Sequence, residues 1–347
     1  MFPESFGSKP KGARLERVLS SSHWRDGRFQ NTVPVAKPLE DGKAFQLANA
    51  FLFGREQRTP PRPLPVLDPR AAWMQNAPSG LRITWLGHST CLLEMDGLRV
   101  LTDPVWGGRA SPFSWAGPAR FHEVPVSISD LPPLDAVVLS HDHYDHLCWP
   151  TWRELAALNV PIVTSLGVGA HLEAWGVRPD RITELDWWEA AEFAGGTLQI
   201  TAAPARHFSG RTGQSNQTFW SSWAIDSGKH KVFFSGDTGI TDEFEEIGRR
   251  LGPFDVTLME VGAFHTTWSS IHLGPDNAMR AHTMLRGKHL LPVHWGTFNL
   301  ALHAWDDPAE TLLAKAPGIG VSLLTPRVGQ VFEPSLAEGP EAWWRNL

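Results

Sequence analysis

The chain has 347 residues, of which 42% are hydrophobic and 20% charged, with a formal net charge of −6. That length and apolar content support one large buried core, and the acidic balance excludes a general nucleic-acid binder, because phosphate contacts need clustered cations and only Lys9-Pro10-Lys11 clusters here. Two cysteines, Cys91 and Cys148, exclude a disulfide framework and fit a cytoplasmic setting; no secretory pattern follows Met1, and no apolar run reaches the roughly 18 residues of a membrane span.

Residues 1–79 are rich in Pro, Arg and Ser and run into Thr59-Pro60-Pro61-Arg62-Pro63-Leu64-Pro65. They read as an extended arm with one helical stretch near 42–54, packed on or leading into a main domain over 80–347. From there the pattern becomes regular. Strands are predicted over 81–86, 91–95 and 98–102, with a tight turn at Met95-Asp96-Gly97. A loop of Gly, Pro, Ser and Trp over 104–125 is long enough to be functional. The apolar run 134–140 has the character of a strand buried on both faces. Further strands are predicted over 161–164, 181–185, 197–203, 219–226, 231–235, 255–259, 289–293 and 320–324, and helices over 150–158, 167–175, 241–251, 275–285 and 307–316. Pro275 suits a first helical turn, and Gly287 a helix stop. Strands interleaved with helices predict a layered α/β protein. Most of the 17 tryptophans belong in a core; Trp106 and Trp115, in the aromatic loop, are candidates for apolar substrate contact or a membrane interface.

The segment His141-Asp142-His143-Tyr144-Asp145-His146 holds three histidines and two aspartates directly after the buried strand. Imidazole and carboxylate are ligands of zinc-like metals, and packing them together otherwise costs desolvation and repulsion. Residues two apart in an extended turn can converge on one ion, which leaves Asp145 and His146 for a second. His207, Asp237 and His294 each follow a predicted strand. Singly each is weak; with the cluster they make seven ligands for two ions. Cys148 is read as buried and unmetallated.

The His-x-His-x-Asp-His pattern resembles the metallo-β-lactamase superfamily. Other stretches resemble one branch of it, the N-acylphosphatidylethanolamine-hydrolysing phospholipase D family and its bacterial relatives. They include Thr84-Trp85-Leu86-Gly87-His88-Ser89-Thr90, Leu101-Thr102-Asp103-Pro104-Val105, Glu184-Leu185-Asp186-Trp187-Trp188-Glu189, Ser235-Gly236-Asp237-Thr238-Gly239 and His294-Trp295-Gly296-Thr297-Phe298. The resemblance runs from about residue 80 to 330 and implies an αββα sandwich (α/β, α+β class). It also implies the ligand grouping: one zinc held by His141, His143 and His207, the other by Asp145, His146 and His294, with Asp237 bridging. Mn²⁺ or Fe²⁺ could stand in for Zn²⁺. The stretch Glu260-Val261-Gly262-Ala263-Phe264-His265 departs from the animal enzymes except at Gly262-Ala263 and an aromatic.

Two such ions lower the pKa of a shared water and neutralise a phosphoryl or carbonyl oxygen. Asp145 and Asp237 thus count as catalytic as well as ligating. His272 matches a family histidine and is expected to contact the phosphate or donate a proton, or else to cap the helix that follows. Asp103 and His88 are candidates for orienting ligands, Tyr144 for shaping the pocket, and His265 for packing. The expected activity is phosphodiester hydrolysis of phospholipase D type on N-acylated ethanolamine lipids. The alternatives are a lactonase or other acyl hydrolase, β-lactams included, and a non-catalytic metal-binding scaffold. A lipid or small-molecule substrate, peripheral membrane contact and a homodimer are all compatible with this reading.

Overall fold

A computed structural model of the protein describes residues 4–35, 49, 54–211 and 213–347. The helical stretch expected near 42–54 lies almost entirely outside the described residues. Helix α1 (Gly12–Ser20), the small hairpin of β1 (Trp24–Arg25) and β2 (Arg28–Phe29), and the single turn α2 (Arg70–Trp73) precede the main body. The first half of that body runs β3 (Leu81–Gly87), β4 (Thr90–Met95), β5 (Leu98–Thr102), β6 (Ala136–Leu139), α3 (Trp149–Leu155), β7 (Ile162–Ser165), α4 (Gly169–Ala174) and β8 (Ile182–Leu185). The second half runs β9 (Ala190–Phe193), β10 (Leu198–Ala203), β11 (Ser222–Asp226), β12 (Lys231–Phe234), α5 (Glu243–Arg250), β13 (Phe254–Glu260), α6 (Gly274–Met284), β14 (Gly287–Val293), α7 (Asp307–Lys315), β15 (Ser322–Leu323) and β16 (Val331–Phe332).

Two seven-stranded sheets result, in the orders β16-β3-β4-β5-β6-β7-β8 and β15-β14-β13-β12-β11-β10-β9. Side chains of the first sheet alternate between two cores, as a period of two requires. Ile83, Trp85, Cys91, Leu93, Val100, Val138 and Val163 face the second sheet. Leu86, Leu92, Leu101, Val137, Leu139 and Ile162 face Trp152 and Leu155 of α3 and Leu172 of α4. Phe244, Ile247, Ala278, Met279 and Leu312, on α5, α6 and α7, cover the second sheet from outside. The layers are therefore helix, sheet, sheet, helix, the expected αββα sandwich.

Each sheet is antiparallel in one half and parallel in the other. Strands β5 through β8 run parallel, as do β12 through β15. Parallel strands need helical crossovers, and their carboxyl ends open on one rim where ligands typically bind. The residues after β5, β6, β12 and β14 meet at this rim.

Local chemistry explains the predicted turns and one correction. Asp96 (φ +54°) and Gly97 (φ +88°) both adopt the left-handed region that a two-residue hairpin turn demands. Gly287 is not the helix stop: it opens β14, while Arg286 takes the left-handed φ of +61° after α6. Strand β9 escaped the sequence reading because its Ala-Ala-Glu-Phe edge is largely exposed and carries little strand propensity. The N-terminal segment packs on loops of both halves, with Val18 and Phe29 in one cluster with Leu166, Trp187, Phe219 and Trp220.

Gly262 matters for the rim. A Cβ there would lie 2.1 Å from the carbonyl oxygen of His294. Gly262→Ala must push that backbone away, so it is expected to cost about 1–3 kcal/mol. Urea unfolding measures the loss, and an unchanged midpoint would show that the close approach relaxes freely.

Candidate metal centre

After β6 ends at Leu139, the amides of His146 and Leu147 both donate to the carbonyl of His143, at 3.0 and 2.7 Å. This turn divides the histidine-rich segment. His141 and His143 join His207 and Asp237 in one group; Asp145 and His146 join His294 and His88 in another. Within each group, one ligand atom per residue lies within 4.8 Å of the others. Asp237 stands between them. Its Oδ2 is 3.8 Å from Nε2 of His141 and of His207, and 3.2 Å from Nε2 of His146 and of His294. The seven residues singled out in the sequence are thus brought together at one rim.

A surrounding set of contacts aims these rings. His207 Nδ1 donates to the carbonyl of Ile271 at 2.9 Å, and His146 Nδ1 to Asp103 Oδ2 at 2.6 Å. His141 Nδ1 lies 2.9 Å from Ser140 Oγ, which itself donates to Asp103 Oδ2 at 2.6 Å. With Nδ1 bonded in this way, each Nε2 is turned inward. Asp103 is fully buried and also accepts from the Ser140 amide, so it orients a ring of the centre as expected. His88 acts on the second group: its Nε2 is 3.0 Å from Asp145 Oδ2, and its carbonyl accepts from the His294 amide at 3.0 Å. Asp103, His88 and His294 have φ of +30°, +51° and +63°. Such left-handed backbone costs non-glycine residues about 1–3 kcal/mol each and gathers at functional sites.

Asp142 points the other way. Its carboxylate accepts from the Gly210 amide at 2.8 Å and from Thr218 Oγ1 at 2.8 Å. Arg211 donates to the carbonyls of Asp142 and Leu147 at 2.6 and 2.8 Å and to that of Ser5 at 2.6 Å, which clamps the segment to the N-terminal arm. Tyr144 lies under the Arg211 guanidinium, 4.1 Å from its ring centroid, and donates to the Arg211 carbonyl. Its role is packing.

Burial and charge divide the imidazoles. Burial pulls His141 and His207 well below the ordinary histidine range, which leaves them neutral. Burial also opposes the charged forms of His146 and His294, but the carboxylates of Asp237 and Asp145 outweigh it. His146 is held well above the ordinary range and His294 is pushed up to about 10. Against their own burial, Asp145 and Asp237 are held well below the usual carboxylate range by His146 and His294. Even so, His146 Nε2, Asp237 Oδ1 and His294 Nδ1 are buried without a hydrogen-bond partner. Unpaired buried polar atoms are costly. A divalent cation between these nitrogen and oxygen donors relieves that cost, and the donor set fits a zinc-like metal.

The remaining predicted residues fall in distinct places. His272 is at the edge of the centre, with a ring nitrogen within 4.8 Å of ligand atoms of Asp237 and His294. His265 caps the turn Thr266–Trp268 by accepting from the Thr267 amide. Cys148 is buried against Val105 and Phe298. Trp106 is half-buried; its indole N–H donates to the Val126 carbonyl and its amide to Thr151 Oγ1, so it anchors the loop. Trp115 is 78% exposed and, with Phe113 and Trp149, lines a cavity of about 570 Å³. The sequence reading missed Arg211, for which no signal existed, and Glu260, which ends β13 at the same rim. The rule that found Asp237 and His294 would have found Glu260 as well.

A family model described as Beta-lactamase superfamily domain matches residues 98–295, more than half of the chain. An uncharacterized protein of Mycobacterium tuberculosis is 45% identical over 94% of this chain and 88% of its own length. The N-acyl-phosphatidylethanolamine-hydrolyzing phospholipase D 1 of Caenorhabditis elegans is 39% identical over 74% of this chain and 77% of its own. Among solved structures, a metallo hydrolase from the archaeon Ignicoccus hospitalis superposes with a TM-score of 0.56 at 21% identity, covering 73% of this chain and 98% of that one. The chain therefore belongs to the metallo-β-lactamase superfamily, is a metallo-hydrolase, and shares its family with the nematode phospholipase.

Proposed function

We propose that the protein is a two-metal phosphodiesterase of phospholipase D type that acts on N-acylphosphatidylethanolamine-like lipids. The observation that carries this reading is the position of Asp237 between two histidine-rich groups, on a chain 39% identical to an enzyme named for that reaction. His141, His143 and His207 would hold one Zn²⁺ and Asp145, His146 and His294 the other, with Asp237 shared. Bound there, the ions supply Lewis-acid activation of water and neutralise charge on the phosphoryl oxygens. The chain's own residues do the rest. Asp237 fixes the spacing of the two groups. Asp145 is held in the second group by His88 and His294. His272, beside Asp237 and His294, is placed to contact the phosphate or pass a proton to the leaving alkoxide. Trp106 anchors the aromatic loop, and Trp115 presents it to the acyl chains or the lipid surface. No helix among the described residues is long and apolar enough to cross a membrane, so contact with lipid would be peripheral.

Three outcomes test this. Zinc-loaded protein should release N-acylethanolamine from the lipid, followed by mass spectrometry, and Asp237→Ala should slow it more than about 100-fold, beyond the usual effect of a supporting residue. Turnover of a lactone or β-lactam with the lipid left intact would move the assignment to acyl hydrolysis. If His141→Ala and Asp237→Ala both matched wild type in every assay, the scaffold reading would win.

Metal binding should release protons. His146 and His294 carry theirs at neutral pH in the metal-free centre, whereas a ligating imidazole must be neutral. Affinity should therefore rise with pH and weaken on acidification. Calorimetry in buffers of different ionisation enthalpy counts the protons, and a heat independent of buffer refutes the scheme.

Trp115→Ser should reduce sedimentation with liposomes and leave turnover of a water-soluble short-chain substrate unchanged. Equal loss of both would place Trp115 in catalysis instead of at the interface.

A further inference from the structure

Strands β12, β13 and β14 are parallel neighbours and end at one rim. Asp237 follows the first and His294 the third. The middle strand ends in Glu260, whose side chain is completely buried. Glu260 Oε1 accepts from the Leu273 amide at 2.6 Å and stands 3.4 Å from His272 Nδ1. Glu260 Oε2 and His272 Nδ1 both lack a hydrogen-bond partner. Among the described residues no Lys or Arg pairs with this buried carboxylate, an expensive way to end a strand, since an apolar side chain of similar size would pack there at lower cost.

The neighbours of Glu260 show what the carboxylate acts on. The segment Ile271-His272-Leu273 is held on both flanks. His207 Nδ1 donates to the Ile271 carbonyl at 2.9 Å, and the Leu273 amide donates to Glu260. Only the ring of His272 is left to be set, and Glu260 Oε1 is the acceptor that faces its Nδ1. A shift of about half an ångström closes that approach to an ordinary hydrogen bond. Catalytic contacts are often long before the substrate complex forms.

We propose that Glu260 is the positioning residue of His272: by receiving its Nδ1–H, it fixes the tautomer and plane of the ring and leaves Nε2 as the nitrogen presented to the substrate. A carboxylate that orients a histidine through Nδ1 is a general device of acid–base sites. The inference rests on the reading of His272 as the phosphate contact or proton donor of a phosphodiesterase. It goes beyond that reading in giving a role to a residue in the stretch where the chain departs from the animal enzymes.

The test uses the full zinc-loaded chain as wild type, Glu260→Met, Glu260→Gln, His272→Gln and the double variant Glu260→Met with His272→Gln. Nitrogen-15 NMR of the histidine rings reads the tautomer directly. Wild type should carry Nδ1–H on His272, Glu260→Gln should keep it through its amide oxygen, and Glu260→Met should lose it. Zinc content should stay unchanged. Turnover is then compared on two phosphodiesters, one with a 4-nitrophenol leaving group and one with an alcohol. Glu260→Met should lower kcat about 10- to 100-fold on the alcohol ester with little change in KM, and far less on the nitrophenyl ester, which needs no proton. The double variant should be no slower than His272→Gln alone. An Nε2–H tautomer in wild type, an unchanged tautomer in Glu260→Met, or additive losses overturns the proposal. If Glu260→Met does not fold, the wild-type tautomer and Glu260→Gln still decide it. If wild type cleaves neither ester, the phosphodiesterase reading falls, while the NMR comparison still settles whether Glu260 sets the ring.

Discussion

Burying His141, His146, His207, His294 and Asp237 within a few ångströms of one another is the costliest feature of this fold, and the surrounding structure is organised around it. Asp145 and Asp237 are kept ionised by His146 and His294, which they in turn keep protonated. Even that mutual neutralisation leaves buried nitrogen and oxygen atoms unpaired. A centre of this kind is balanced when positive charge sits among the donors, so metal binding and the stability of the rim are one problem.

The rim bears the constraint because it is where backbone groups are free. Parallel strands in both sheets finish there, and their following residues need not satisfy a ladder. Asp103 and His294, which follow parallel strands, and His88, in the turn after β3, hold left-handed backbone, and all three have side chains in or beside the centre. Gly262 and Gly239 let other chain segments pass against this region: a Cβ on Gly239 would meet the Ser270 carbonyl at 2.1 Å, next to the segment that carries His272. Arg211 adds a clamp from outside, tying both ends of the histidine-rich turn to Ser5 of the N-terminal arm. The arm is thereby joined to the metal centre, although its described residues supply none of the ligand-type side chains.

Legibility in the sequence followed how local each cause is. Strands β3 to β7 could be read within a residue or two, because apolar residues there recur with strand character and turn residues separate them. The edge strand β9 could not, since pairing with β10 and not its own composition makes it a strand. Trp106 and Trp115 look alike in the sequence. One is pinned by the Val126 carbonyl and the other is open to solvent, a difference made by a residue twenty positions away. Glu260 follows a predicted strand as Asp237 and His294 do, but that it faces His272 comes only from the packing of β13 between β12 and β14.

By itself, the sequence determined that a metal-binding hydrolase fold was present. A dense run of imidazoles and carboxylates has few other chemical uses, and the distant His207, Asp237 and His294 each follow a buried strand. Periodicity, a local property of each segment, gave a layered α/β protein; the αββα layer order was what the family resemblance implied. The tertiary structure alone decided how far Asp237 stands from each donor, which carbonyl or carboxylate aims the rings, and that Glu260 faces His272. Those relations depend on distances between strand ends that come from separate parts of the chain, and spacing along a chain carries no information about such distances until the sheets have paired.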